Sequence, residues 1–480
     1  MNDRKGFGSN FGFLMAAVGS AVGLGNIWGF PNKMGANGGF PFLILYLALA
    51  LCCGVIIMLG ELALGRKTGH GAVGAYQSIS KRFKWLGWLG IAAAALIFSF
   101  YSALGGYCLR YVVVNFGNLI GAEFGTNGVG GADVFQGLLS QPERVHRLCT
   151  GLHAHHHAGG HERRRRRHRA GLLRRDAGPV LHPHHLHHPL LHPAGCGGRP
   201  EVYVRPRLGR GQRHHRRGPG FWKVLTAAGG QMFFSLSLGA GVMITYGSYL
   251  DKKQDLGKSA MIIVGMDTVV ALMAGLCVIP GRFALDPNGA LGGPELLFIT
   301  MQNVFDKMGP AGPVFGILFY LLVFFAAISS SISMLEVIVA HFCDKAREKG
   351  KGDRRKLYSA IAVVICAALC ALVCADGMGS NHISPAELLG LAGAKLPGWS
   401  TSWLGLFDSV AEGLLMPLGA LLMCLMISWE LKPDTLRQEI LLNGENRPWV
   451  YDFFRLCVKY ITPLCMLMIL YGQISDFFIV

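Results

Sequence analysis

GSAVGLGNIWGFP, residues 19–31, and QMFFSLSLGAGVMITYGSY, residues 231–249, each place repeated glycines inside an otherwise apolar run. Glycine in a helix interior costs about 1 kcal/mol relative to alanine, so Gly19, Gly23 and Gly25, and later Gly239 and Gly241, invite unwinding. Within a membrane, unwound backbone is tolerated only where it is buried in protein or lines a cavity. There its free carbonyls can coordinate a cation, and a new half-helix N-terminus attracts a carboxylate. Close helix packing through small residues would explain either segment alone. Two such segments, each accompanied by polar side chains at bilayer depth, point instead to a binding site. Those side chains are Asn26, Ser235, Ser237, Asp267, Ser329, Ser330 and Ser331. Asp267 weighs most, because a carboxylate inside a membrane is expensive and is functional by default.

Composition agrees with a membrane protein. Of 480 residues, 51% are hydrophobic and only 15% charged, against roughly a quarter charged in soluble domains. Phe40–Leu64, Met261–Ile279 and Phe315–Phe342 match or exceed the ~20 apolar residues that a spanning helix needs. The N-terminus is short and charged, with no cleavage-type site before the first apolar run. The 13 cysteines lie mostly in apolar spans. Cys366, Cys370 and Cys374 share one helix face without a fourth ligand, which reads as packing rather than zinc.

Lysine and arginine in short loops mark the cytoplasmic side. Arg4 and Lys5 place the N-terminus inside, and so do the basic clusters at 66–84, 252–258 and 345–356 for their loops. Gly121–Gln141 carries no lysine or arginine and reads as outside. Nine crossings are visible, and parity requires an even number between residues 141 and 219.

That interval is anomalous. It holds 17 arginines, 15 of the chain's 18 histidines, four acidic residues and no lysine, so 13 of the 17 net positive charges arise there. The excess therefore does not describe the whole chain, and nucleic acid is not an expected partner. A histidine tract can bind metal and an arginine block can bind anionic lipid. A frameshift explains the pattern better. In GC-rich DNA, ATC, GTC and CTC read one base early become CAT, CGT and CCT, turning runs of Ile, Val and Leu into His, Arg and Pro. The 79 residues would then stand where two membrane helices are encoded.

GSAVGLGNIWGFP, GELALGR (60–66), QMFFSLSLGAGVMITYGSY and FFAAISSSISM (324–334) resemble the neurotransmitter:sodium symporters, closest to bacterial amino-acid transporters of eleven helices. The resemblance covers 1–140 and 220–480. It implies an all-α polytopic membrane fold of two inverted five-helix repeats with helices 1 and 6 discontinuous. Residues 1–140 would be helices 1–3, 141–219 the frameshifted stretch over helices 4 and 5, 220–430 helices 6–10, and 431–480 a cytoplasmic loop and helix 11.

By the same resemblance, one sodium site would use Gly19, Val22, Ala326, Ser329 and Ser330. The other would use Ala21, Asn26, Ser235, Asp267 and the substrate's own carboxylate. Hard oxygen ligands suit a hard cation. Substrate contacts would come from Ala21, Gly23, Gly25, Ile97, Tyr101, Phe234, Ser237, Ala240, Ser330 and Met334. The family's outer gate pairs an arginine with an aspartate. Here Gly29 stands at the arginine position and Asp408 at the aspartate position, so closure is expected mainly through Tyr101 and Phe234. Arg4 and Asp344 fall at the inner ion pair, where loop charge is the competing explanation.

The implied function is symport of a neutral, hydrophobic or aromatic amino acid with two sodium ions, independent of chloride, across the inner membrane, with no enzymatic chemistry. Gly23, where amine-transporting relatives have an aspartate, implies a zwitterionic substrate. The lipid bilayer is the expected surrounding and a homodimer is left open. A non-transporting receptor of the same fold and a metal-binding protein using the histidine tract are the alternatives. Sodium-dependent uptake separates transport from both.

Overall fold

The computed structural model of the chain describes residues 9–126, 128–141, 219–285, 293–352, 354–390, 398–431, 435–441 and 448–478. Arg4 and nearly all of the anomalous interval lie outside these. Among the described residues every regular element is helical, as lipid requires: a chain without a closed barrel satisfies its backbone there only within helices.

The helices that matter for the site are α1 (Asn10–Ala21), α2 (Gly25–Ala36), α3 (Phe40–Thr68), α4 (Ala72–Ile79), α5 (Lys84–Ile120), α6 (Gly131–Leu139), α7 (Phe221–Leu236), α8 (Val242–Gly247), α9 (Leu256–Leu285), α10 (Met301–Lys307), α11 (Gly312–Glu348), α12 (Arg355–Asp376), α13 (Trp403–Trp429) and α14 (Pro448–Phe477). Among the described residues seven helices are long and apolar enough to cross a membrane, and an eighth crossing is the pair α1 and α2, bent by 48° at the break between them. The ninth expected crossing, Phe221–Leu250, is divided into α7 and α8, each too short to span alone.

The two breaks fall where the glycines predict. In the first, Val22 leaves helical geometry with ψ 104° and turns back to helix by Gly25. In the second, Ser237, Gly239 and Gly241 all take positive φ, 52°, 77° and 73°. Ser237 is the exception to the rule that only glycine adopts this region freely, and it caps α7.

The longest pairing is α5 against α11, which forms the wall facing both breaks. On the opposite side, α3 crosses α8 closely enough that backbones touch. A Cβ on Gly65 would lie 1.9 Å from the Ile244 carbonyl oxygen, and one on Gly247 would lie 2.5 Å from that of Leu62. Small residues permit this approach in place of interlocking side chains. At the end of α3, buried Arg66 donates from Nε to Glu439 Oε2 at 2.7 Å and from its other nitrogens to the carbonyls of Glu439 and Gln254.

Burial is uneven. In the apolar windows of α5 and α13, 78% and 67% is buried in protein, but in α11 only 28%. Leu318, Leu322 and Phe325 are 50%, 62% and 62% exposed, and their stripe runs, at helical spacing, straight into half-buried Ser329. Cys366, Cys370 and Cys374 are buried on one face of α12, with the sulfurs of Cys370 and Cys374 4.0 Å apart.

Candidate functional site

Both breaks open onto one buried polar cluster. Asn26, on the first turn after the α1–α2 break, donates from Nδ2 to Asp267 Oδ1 at 2.7 Å and to Ser235 Oγ at 3.0 Å. Its Oδ1 accepts the Gly23 amide at 2.9 Å, closing the unwound turn. Ser235, in the last turn of α7, donates to Asp267 Oδ2 at 2.8 Å, and the Tyr46 hydroxyl reaches the same oxygen at 3.3 Å. Asn26, Ser235, Asp267 and Tyr46 are all fully buried. These three partners of the carboxylate, Asn26, Ser235 and Tyr46, are all neutral. An ionised carboxylate at bilayer depth is held at high cost unless a cation joins it; the oxygens of Asp267, Ser235 and Tyr46 converge here, whereas Asn26 turns its Nδ2 to them and its Oδ1 to Gly23.

The other set gathers where α1 meets α11. A Cβ on Gly19 would lie 3.6 Å from that of Ser329. Ser330 Oγ donates to the Ser20 carbonyl at 3.1 Å, and Ser329 Oγ to the Ala326 carbonyl at 3.0 Å. Val22, in extended geometry, ends the same strand of backbone.

Between the sets, side chains of α5, α7 and α11 approach two glycines closely. A methyl on Gly23 would come 2.7 Å from Ser330 Oγ and 3.4 Å from the Tyr101 hydroxyl. One on Gly25 would meet the Phe234 ring at 2.8 Å. Tyr101 and Phe234 pack edge to face with ring centroids 5.9 Å apart, and Phe100 stacks on Phe234 from behind at 6.5 Å. Ile97 lies one turn before Tyr101 on α5, Met334 one turn after Ser330 on α11, and Ser237 and Ala240 form the second break; all four are buried.

Asp344 is buried and accepts the Gly71 amide at 3.0 Å; its expected partner Arg4 lies outside the described residues. Asp408 is half-buried on α13, four residues before Glu412.

Several participants escape the sequence reading. Glu61 of α3, 1% exposed, accepts the Gly239 amide at 2.7 Å and so holds the second break from below. As a carboxylate within an apolar span, it carried the same signal as Asp267. Gln231 donates to the Gly25 carbonyl at 2.8 Å, and its Oε1 would sit 3.0 Å from a Cβ on Gly29. The side-chain space at Gly29 is therefore filled from α7. Lys33 pairs with Glu412, a contact across 379 positions that no local pattern announces.

The described geometry resembles known proteins along almost its whole length. The family model described as "Sodium:neurotransmitter symporter family" matches residues 4–125 and 219–478, omitting most of the anomalous interval. An uncharacterised sodium-dependent transporter of Bacillus subtilis is 32% identical over 481 residues, covering 97% of each chain. Another from Methanocaldococcus jannaschii is 28% identical over 468 residues, covering 91% of this chain and 84% of its own. The crystal structure of MhsT in complex with L-phenylalanine superposes with a TM-score of 0.76 at 28% identity, covering 98% of this chain and 100% of that one.

Proposed function

Because this chain belongs to the sodium:neurotransmitter symporter family, we propose that it carries a neutral amino acid with sodium across the cytoplasmic membrane by alternating access. The observation that carries this reading is Asp267: fully buried and oriented by three neutral partners, Asn26, Ser235 and Tyr46. A sodium ion entering with the substrate supplies the missing charge. Its ligands are Ala21, Asn26, Ser235, Asp267 and the substrate carboxylate. A second sodium takes the carbonyls of Gly19, Val22 and Ala326 with the hydroxyls of Ser329 and Ser330.

The substrate's carboxylate meets the Tyr101 hydroxyl and the α2 N-terminus, where backbone amides and the helix dipole favour an anion. Its side chain lies toward Ile97, Phe234, Ser237, Ala240 and Met334, which leaves room for a large apolar or aromatic group. The phenylalanine in the similar MhsT structure supports that class. No side-chain carboxylate stands at Gly23, so an amine without its own carboxylate leaves the first sodium shell incomplete. Asp267 supplies a fixed negative charge, which makes the cycle independent of chloride. The N-terminus is cytoplasmic, and Asp344 belongs to the inner closure.

On this reading, residues 141–219, nearly all outside the described residues, stand where helices 4 and 5 of the first repeat are encoded. The family model's gap over 126–218 supports this, as does the exposed apolar stripe on α11 that ends at Ser329. A sodium site flanked by lipid on that side is not viable, and the missing helices are its cover. The deciding experiment is sodium-driven uptake of labelled phenylalanine into vesicles by the frame-restored chain. Uptake that ignores the sodium gradient overturns the reading.

A further inference from the structure

Glu412 is an acidic side chain that the site above does not use. It lies on α13 with its side chain 3% exposed, one turn after Asp408, and it pairs with Lys33 of α2, whose side chain is 24% exposed. Its carboxylate also lies close against α7, 2.8 Å from where a Cβ on Gly230 would stand. A buried carboxylate keeps its charge in such a place only with a partner.

The position of the pair gives it a role. Lys33 is four residues beyond Gly29, and Glu412 four residues beyond Asp408, so on each helix the charge sits one turn from the place a gate pair was expected. Gln231 occupies the side-chain space at Gly29 and binds the Gly25 carbonyl. One turn further along α7, Phe234 presses on Gly25 and closes on Tyr101. Helix α13 packs on both α5 and α7, the helices that carry those two rings. The ion pair therefore spans from α2 to the body that holds the aromatic lid.

We propose that Lys33 and Glu412 form the outer latch of this transporter, closing α2 onto α13 over the Tyr101–Phe234 lid. This rests on the transport reading, in which the Ala36 end of α2 faces outward. For a substrate to reach Gly23 and Ser330 from that side, α2 must move away from α13. That movement strips Glu412 of its ammonium, so the open state requires water at the carboxylate. The latch favours the closed state by charge, whereas the lid does so by apolar contact.

The test is hydrogen–deuterium exchange of the full chain in lipid nanodiscs, followed in peptides covering 30–36 and 403–415, without substrate. Lys33→Gln and Glu412→Gln should each raise exchange in both peptides by about tenfold or more, since a broken buried pair destabilises the local closed state. The reversal, Lys33→Glu with Glu412→Lys, should return it to within about threefold of the parent, and Lys33→Arg should leave it near the parent, as a pairing of charges requires. Unchanged exchange in both single variants overturns the latch. So does a reversal no better than the single variants, or an effect of Asp408→Asn that Glu412→Gln does not share. In the frame-restored chain, the dissociation rate of prebound labelled phenylalanine, faster in the single variants and restored in the reversal, ties the latch to transport. If no variant and no parent binds phenylalanine while the exchange pattern holds, the substrate reading fails and the latch stands.

Discussion

Asn26 donates to Asp267 Oδ1 at 2.7 Å and to the Asp267 carbonyl at 3.1 Å, and so joins the broken first helix to the middle of α9. Two sodium ions a few ångströms apart repel by several kcal/mol even at an effective dielectric near ~20. On the proposed two-sodium reading, a carboxylate at Asp267 would offset that repulsion throughout the cycle. Asp267→Asn keeps the hydrogen bonds and removes the charge. In the frame-restored protein, the parent should take up substrate equally in chloride and in gluconate, and the variant should be slower by at least about tenfold in gluconate. A parent that needs chloride, or a variant indifferent to the anion, refutes the proposal.

The substrate's carboxylate should be indispensable. Phenethylamine, which is phenylalanine without that group, should not compete for labelled phenylalanine binding. Gly23→Ala should weaken binding by about tenfold or more, because its methyl would stand 2.7 Å from Ser330 Oγ and 3.4 Å from the Tyr101 hydroxyl. That loss corresponds to about 1.4 kcal/mol. Equal competition by the amine and the amino acid would remove the carboxylate from the first sodium shell.

The second break should depend on Glu61. Its carboxylate accepts the Gly239 amide at 2.7 Å, with the glycine at φ 77°. Glu61→Ala strands a buried amide and should destabilise the protein by about 1–3 kcal/mol; Glu61→Gln keeps an acceptor and should cost less. Gly239→Ala should be worse tolerated than either, since its methyl would stand 2.2 Å from the Met416 carbonyl oxygen at a backbone angle unsuited to alanine. Thermal unfolding in detergent ranks the three, and an unfolding temperature for Glu61→Ala equal to the parent's contradicts the assignment.

The coding DNA across codons 135–225 should contain another frame that reads as two spans of ~20 apolar residues each. Restoring that frame should create sodium-driven uptake that the literal chain lacks. Uptake by the literal chain, or the absence of such spans from both other frames, refutes the frameshift.

Much of this was legible in the sequence because it is written locally. Apolar length gave the spans, and glycine spacing located both breaks to within a few residues, since helix propensity acts over a single turn. The cost of a carboxylate in lipid singled out Asp267 from its neighbours alone. Partnerships were another matter. Tyr46 on Asp267, Glu61 on Gly239, Gln231 filling the space at Gly29, and Lys33 on Glu412 each join residues more than 170 positions apart. Such pairs follow from which helix faces meet and how closely, and helix packing leaves no periodic trace along the chain. The sequence therefore determined where the backbone opens and which polar side chains lie there. Only the tertiary structure decided what holds those openings in shape and which charge meets which across them.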